Sequence, residues 1–124
     1  MLPLCLLLLA AQAPECDRSL AREARKNVRD LFLKPARKAG LEPSRECPFA
    51  PENDKLLPHE DSKATSRKSA RMWRCTVCQK HFRTEAFLDK HLQRKHAEMM
   101  HSHRHAECLA DHCETARCPS WQAT

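Results

Sequence analysis

The sequence predicts a small metal-stabilised fold with one N-terminal helix and largely irregular flanking segments. Three observations lead to this prediction. Large apolar residues are sparse after the first 13 positions, and the 124 residues include only four Phe, two Trp and no Tyr, so a sizeable hydrophobic core is not expected. One Gly against eight Pro disfavours a sheet of tight hairpins. Eight Cys and eight His supply the metal ligands or cross-links that replace a core in small domains.

The chain opens with an apolar run, residues 1–13, that is typical of a secretory signal peptide. Only Pro3 and Gln12 interrupt the apolar residues, and Ala11-Gln12-Ala13 has the small-x-small form of a cleavage site. The run is shorter than the roughly 20 residues that cross a bilayer, so no transmembrane span is predicted. We therefore expect the secretory pathway or the extracellular space. If the run is instead an apolar tail that packs on another surface, the nucleus is the alternative location.

Residues 17–34 predict a basic amphipathic helix. Asp17 is a candidate N-cap, and Pro35 is expected to end the helix. Apolar residues recur at helical spacing on one face: Leu20, Ala24, Val28 and Leu31. Cations occupy the other face: Arg18, Arg22, Arg25, Lys26 and Arg29. Such a helix lies on an anionic membrane, fits a partner's groove, or is a solvated helix that packs weakly on its neighbours.

Residues 35–71 are predicted to be a flexible, Pro-rich and charged linker. Pro and acidic residues crowd positions 40–61, which is linker composition. Positions 62–74 then change sign and contain five cations and no carboxylate: Lys63, Arg67, Lys68, Arg71 and Arg74. This run could contact phosphates or serve as a nuclear address, and a solvated arm is the default interpretation.

Four residues between positions 75 and 96 have the spacing of a metal site. Cys75, Cys78, His91 and His96 follow the pattern C-x2-C-x12-H-x4-H. Two Cys on either side of a tight turn bring two thiolates to one side of a metal ion. Two His about one helical turn apart present two imidazoles, and the four groups close a tetrahedron around Zn²⁺.

Two apolar positions agree with this spacing, because Phe82 follows Cys78 by four residues and Leu88 precedes His91 by three. With them, residues 72–98 resemble the C2H2 zinc-finger family. The resemblance implies a ββα fold around one structural Zn²⁺, with a hairpin over 72–83, a helix over 84–96, and Phe82 and Leu88 as the core. Thr84 is a candidate N-cap of that helix. Metal binding should be coupled to folding.

The resemblance also indicates which side chains would contact a partner. In the family, the residue before the helix and its third and sixth residues read bases, and these positions hold Thr84, Phe87 and Lys90. Phe87 can only touch a thymine methyl group or stack on an exposed base, and one finger covers about 3 bp. We therefore do not expect sequence-specific DNA binding through this finger alone. Thr84, Phe87, Lys90 and Arg94 are candidate contacts to nucleic acid or to a protein partner, and a purely structural finger is the alternative.

Residues 99–124 form a His/Cys-rich tail. Metal-binding side chains crowd into it: His101, His103, His105, Cys108, His112, Cys113 and Cys118. We take Cys108, His112, Cys113 and Cys118 as a candidate second metal site, with a disulfide among the three Cys as the competing interpretation if the chain is exported. Exposed side chains without a partner are the third interpretation. Removal of the signal peptide and zinc binding would leave an odd number of Cys, so at least one is expected to be free or to pair with another chain.

A net charge of +6 and a pI of about 9.0 favour a polyanionic partner such as nucleic acid, a heparin-like glycan or an acidic membrane surface. We do not expect an enzyme, because four protein ligands close the metal site and no recognised nucleophilic motif is present. The first hypothesis is therefore a zinc-stabilised module that binds a polyanion or a protein. The alternative is an exported or lumenal protein with a structural finger and a disulfide-bonded tail. A product of a larger zinc-finger gene without its own function is the third hypothesis.

Overall fold

The N-terminal half is mainly helical in the computed structural model, which describes residues 15–65 and 71–120. The signal-peptide-like run, residues 1–13, lies outside these residues. Helix α1 (Arg18–Val28) continues through a π-helical turn (Arg29–Leu33) into α2 (Lys34–Lys38). A 3-10 turn (Pro51–Asn53) and the short helix α3 (Leu57–Glu60) follow.

A small antiparallel sheet and a second long helix follow. The sheet has the strand order β1 (Lys63–Thr65), β2 (Trp73–Cys75), β3 (His81–Phe82). Helix α4 (Glu85–Lys95) comes next, and 3-10 turns (Ala97–Met99 and Leu109–His112) lead to α5 (Cys113–Ala116). Among the described residues, no helix has the length and apolar character needed to cross a membrane.

The N-terminal helical run begins at the predicted residue but continues beyond the predicted end. The Asp17 carboxylate accepts the N–H of Leu20 at 3.0 Å, which confirms the N-cap. Pro35 does not end the run, which reaches Lys38. A proline inside a helix lacks an N–H and clashes with the carbonyl four residues earlier. The π-helical turn lies directly before Pro35, and its wider backbone relieves this clash.

The segment that was predicted to be a flexible linker, residues 35–71, is folded through residue 65. Ala50, Asn53 and Leu56 are buried within it. The Asn53 side-chain amide donates to the carbonyls of Arg45 and Cys47 at 2.6 and 2.9 Å, so a polar side chain organises the turn. The linker prediction was wrong because it rested on the Pro and acidic composition of the segment, whereas these turns are held by hydrogen bonds.

The tail packs on α1 and forms the larger of two hydrophobic clusters. Small side chains and Cys dominate it: Ala21, Ala24, Val28, Leu33, Leu56, Leu109, Cys113, Ala116 and Cys118. Two disulfides, Cys16–Cys108 and Cys113–Cys118, connect this cluster. Cysteines in a disulfide offer no thiolate to a metal ion, so these pairings replace the interpretation of the tail as a second metal site. Cys113–Cys118 is a disulfide of the competing interpretation, whereas Cys108 pairs with Cys16, outside the three Cys considered. His112 instead contacts Glu107 at 3.2 Å.

The sheet contains one strand more than the hairpin that the resemblance implied. Strand β1 pairs with β2, and Lys63 lies opposite Cys75. Lys63 belongs to the run whose default interpretation was a solvated arm, yet its side chain is buried. The basic face of α1 is also not simply solvated, because Arg22 and Arg25 form ion pairs within the protein. Composition indicated these charges, but only long-range packing supplied the carboxylates that pair with them.

Candidate metal centre

Cys75 and Cys78 approach each other across a tight turn after β2. The N–H of Gln79 donates to the Cys75 carbonyl at 2.8 Å, and the Cys75 N–H donates to the Lys80 carbonyl at 2.9 Å. Gln79 closes the turn with φ 66°, a left-handed conformation that is uncommon for a residue other than glycine. The turn places a buried thiol, Cys75, beside an exposed one, Cys78.

The two His residues lie at the C-terminal end of α4. They are five positions apart in the sequence, so on a regular helix they would point about 140° apart. The helix ends at Lys95, and His96 has the non-helical dihedrals φ −132° and ψ 33°. This departure from the helix brings the His96 ring beside His91, with ring centroids 4.9 Å apart.

The structure brings the four predicted ligands together. One ligand atom from each of Cys75, Cys78, His91 and His96 lies within 4.8 Å of all the others. Cys78 Sγ and His91 Nε2 are 3.2 Å apart. A tetrahedral ion with bonds of about 2.0–2.3 Å holds its ligand atoms about 3.3–3.8 Å apart, so a small contraction would suit a metal ion.

The protonation and hydrogen bonding of the His residues also fit a metal ion. Nε2 of His96 is buried and has no hydrogen-bond partner in the described part of the chain. A buried polar atom without a partner costs free energy, and a metal bond would remove this cost. Burial, assisted by the nearby charges of His96 and Lys80, lowers the pKa of His91. A lower pKa favours the neutral ring that a metal ion needs.

A small apolar cluster supports the ligands. Cys75, Leu88 and Leu92 are fully buried, and Trp73 and Phe82 pack against them. The Phe82 ring lies 4.8 Å from the His91 ring. Leu92 was not among the predicted core residues, although its position four residues after Leu88 on the same helix face could have indicated it.

His59 was not predicted as a site residue. It is fully buried, its Nε2 donates to the His96 carbonyl at 2.7 Å, and its Nδ1 lies 3.2 Å from both terminal nitrogens of Arg18. Burial, together with the charge of Arg18, outweighs the bond to His96 and lowers the pKa of His59, so the ring is neutral. His59 therefore holds the last residue of the metal site against α1. No local pattern could identify it, because its partners are 37 and 41 residues away.

A buried ionic network joins α4 to the N-terminal half. Asp89 accepts hydrogen bonds from Arg22 at 3.0 and 3.3 Å and from Lys63 at 2.5 Å. Burial raises the pKa of Asp89, but these hydrogen bonds and charges outweigh it and lower the net pKa. Lys63 also pairs with Glu60 at 2.6 Å and with Glu85 at 3.0 Å. Cations thus neutralise both carboxylates of α4 on the side of the helix that faces α1 and β1, here called the inner side.

The outer side of α4 carries the predicted partner contacts. Phe87, Lys90 and Arg94 line one groove of about 410 Å³, which Lys80 and Lys95 also border. Phe87 is 55% exposed. Thr84, the fourth predicted contact, caps the helix instead. Its hydroxyl oxygen accepts the N–H of Phe87 at 3.2 Å, which confirms the N-cap.

Among the described residues, the four predicted ligands are the only group of three or more Cys, His, Asp or Glu side chains placed to hold a metal ion. Comparison of the chain with protein-family models, curated proteins and solved structures finds no match.

Proposed function

We propose that this chain is a binding module in which residues 72–98 form a ββα zinc-finger unit with one structural Zn²⁺, and in which the outer face of α4 binds a polyanion. Two thiolates and two imidazoles whose ligand atoms lie within 4.8 Å of one another are a donor set that favours zinc. Four protein ligands leave no open position for water, so the metal would stabilise the fold.

The proposal of a polyanionic partner rests on the way charge is divided between the two sides of α4. The two carboxylates of the helix, on Glu85 and Asp89, are used in ion pairs with Arg22 and Lys63 on the inner side. Four cations of the outer groove have no ion pair among the described residues: Lys80, Lys90, Arg94 and Lys95. The groove therefore presents positive charge that the rest of the molecule does not neutralise.

An exposed aromatic ring among these cations favours a single-stranded nucleic acid. Unpaired bases stack on aromatic side chains, and neighbouring cations follow the phosphates. Phe87 is the only Phe ring of the groove that is largely exposed, since Phe82 packs in the small core. Stacking does not depend on sequence, which agrees with the expectation that this face does not read specific bases.

A salt titration tests this proposal. For four neutralised phosphates, the affinity for a single strand changes with salt with a logarithmic slope of about −2.8, so a rise from 50 to 200 mM weakens binding about 50-fold. Lys90→Gln with Arg94→Gln should reduce the slope to about −1.4 and the loss to about sevenfold. The assay is fluorescence anisotropy of a labelled single-stranded oligonucleotide with the zinc-loaded full chain.

A matched control keeps the net charge the same. Lys26→Gln with Lys38→Gln removes two exposed cations that lie outside the α4 groove and should leave the slope unchanged. A flat salt response would contradict polyanion binding, and equal effects of the two double variants would contradict the groove. Tighter binding of heparin than of the oligonucleotide would identify a sulfated glycan as the partner.

The two disulfides favour a second candidate function, in which the chain is exported and the zinc unit is structural. Disulfides persist in oxidising compartments and are rare in the cytosol and nucleus. N-terminal sequencing of the protein from eukaryotic cells, with fractionation, tests this candidate. A new N-terminus near residues 11–14 with secretion supports export, whereas an intact Met1 in the nucleus contradicts it.

A further inference from the structure

The π-helical turn moves two large apolar side chains to the surface. Ala21, Ala24 and Val28 are buried on the inner face of α1, and regular helical spacing would continue with Leu31 or Phe32. The predicted apolar stripe placed Leu31 on this face. In the structure the Lys34 N–H donates to the Arg29 carbonyl, five residues earlier, so the next buried residue is Leu33. Leu31 is 68% exposed and Phe32 is 41% exposed.

These exposed side chains border a groove outside the metal centre. The groove has a volume of about 330 Å³ and lies between the π-helical turn and α5, with Leu31, Phe32, Phe49 and Ala116 in its walls. A second hollow of about 180 Å³ adjoins it and shares Val28 and Phe49. Two adjoining apolar hollows fit two anchor side chains of one partner segment.

The backbone around the groove limits the shape of an occupant. Most of its walls come from helical turns, in which backbone N–H and C=O groups bond within the helix. Phe49 and Arg117 lie in non-helical turns, and no strand of the described residues borders the groove. An extended peptide would find no sheet edge for its own backbone groups, whereas a helix satisfies them internally. The groove therefore fits a helix that presents its apolar face.

The charges around the groove indicate which charge the polar face of the docked helix should carry. The carboxylates near it are Asp30, Glu42 and Asp54. Asp30 and Glu42 lie in exposed ion pairs, and the buried Asp54 is neutralised by Arg25. Cations outnumber them at the rim: Arg29, Lys34, Arg37 and Arg117. Exposed ion pairs contribute little, so the rim keeps a net positive potential.

From these observations we propose that the surface of Leu31, Phe32 and Phe49 docks an acidic amphipathic helix of a partner protein. This protein-binding surface is separate from the α4 groove and does not depend on the proposed polyanion binding. π-helical turns inside helices occur frequently at functional sites, and here the turn itself exposes the two anchors. The apolar contact would provide affinity, and the basic rim would select against basic helices.

The test uses two synthetic fluorescein-labelled helical peptides of about 20 residues, long enough to form an isolated helix. Both carry Leu and Phe at i, i+3, i+4 and i+7. Ala and Glu share the remaining positions in one peptide, and Ala and Lys share them in the other. Anisotropy titrations with the zinc-loaded full chain should show binding of the Glu peptide. Leu31→Ser and Phe32→Ser should each weaken it about tenfold or more.

Two controls match these variants in chemistry. Leu41→Ser changes an exposed Leu outside the groove, and Phe87→Ser changes the exposed Phe of α4. Each should stay within about twofold of the unmodified chain. Lys34→Glu with Arg37→Glu should shift preference toward the Lys peptide, a result that loss of folding would not give.

Several results would overturn the proposal. These are no binding of the Glu peptide at millimolar concentration, equal binding of the Lys peptide, or an equal loss in Leu41→Ser. A dimer in sedimentation velocity that Leu31→Ser dissociates would show that the occupant is a second copy of this chain.

Discussion

Removal of the proposed metal ion should unfold α4 and the β2–β3 hairpin and leave the disulfide-linked core folded. The two hydrophobic clusters share no residue, and the smaller one contains only Cys75, Leu88 and Leu92 with two half-buried aromatic rings. A cluster of this size does not hold an 11-residue helix, because isolated helices shorter than about 12–15 residues are marginal in water. The larger cluster contains the Cys113–Cys118 disulfide, and Cys16 of the second disulfide packs against it.

The size of the effect follows from the helix lengths. Helix α4 has 11 residues, against 11 in α1, five in the π-helical turn, five in α2 and four in each of α3 and α5. Chelation should therefore remove roughly a quarter of the helical circular dichroism signal, and added Zn²⁺ should restore it. In hydrogen exchange, the amide of His96, which bonds to the Leu92 carbonyl, should lose protection, while amides of α1 keep theirs.

Two outcomes would refute this reasoning. An unchanged spectrum with EDTA would refute the metal site. Loss of all helicity in one step would refute the independence of the two clusters and would show that the Asp89 network couples them. Cys75→Ser provides the matched variant, because it should resemble the chelated protein without any chelator.

Three further predictions concern other parts of the structure. Cys108→Ser removes a disulfide between residues separated by 92 positions, and loop-closure entropy predicts a loss of about 4–5 kcal/mol in urea unfolding without reductant, whereas Cys47→Ser changes a free thiol and should have little effect. Leu88→Ala truncates a fully buried side chain and should cost about 2–5 kcal/mol, measured as weaker zinc affinity in chelator competition because binding and folding are coupled. Burial raises the pKa of Glu60, but hydrogen bonding and charge from Lys63 outweigh it and lower the net pKa. The stability from Glu60 is therefore complete above its unfolded pKa of about 4.3 and is lost as the pH falls through the lower folded pKa. Below a pH of about 4.3, the free energy of unfolding measured by urea titration should fall less steeply with pH in Glu60→Gln than in the unmodified chain.

Each of these measurements has a contrary result. Equal losses in Cys108→Ser and Cys47→Ser would contradict the disulfide as the source of stability. A zinc affinity of Leu88→Ala equal to that of the unmodified chain would contradict folding-coupled binding. If the free energy of unfolding of Glu60→Gln falls with acid pH as steeply as that of the unmodified chain, other carboxylates cause the acid loss of stability.

The sequence was most informative where a local constraint operates. The spacing of Cys75, Cys78, His91 and His96 reflects a turn and a helix end, so it identified a group that the structure brings together. The N-caps Asp17 and Thr84 were predictable for the same reason, because a cap is a contact within three residues. The long N-terminal helix and the sparse core followed from periodicity and composition.

The same reasoning from sequence was wrong at three places. Pro35 was expected to end the helix, and Leu31 was expected to share the apolar face of α1 with Ala24 and Val28. The π-helical turn accommodates the proline and changes which side chains are buried. The linker was expected to be flexible, yet its turns satisfy their own backbone hydrogen bonds. The pairing Cys16–Cys108 spans 92 positions and could not be chosen from several Cys by counting.

By itself the sequence determined the candidate metal-ligand set, the helix starts and the excess of positive charge, and it indicated a need for cross-links, because each depends on residue type at short range. Only the tertiary structure decided which charges are used internally and which face outward. Arg22 and Lys63 are neutralised by carboxylates that packing brings to them, and Lys90 and Arg94 are not. The distinction is physical, since a charge acquires a role only when folding either supplies a counter-charge or leaves it in solvent.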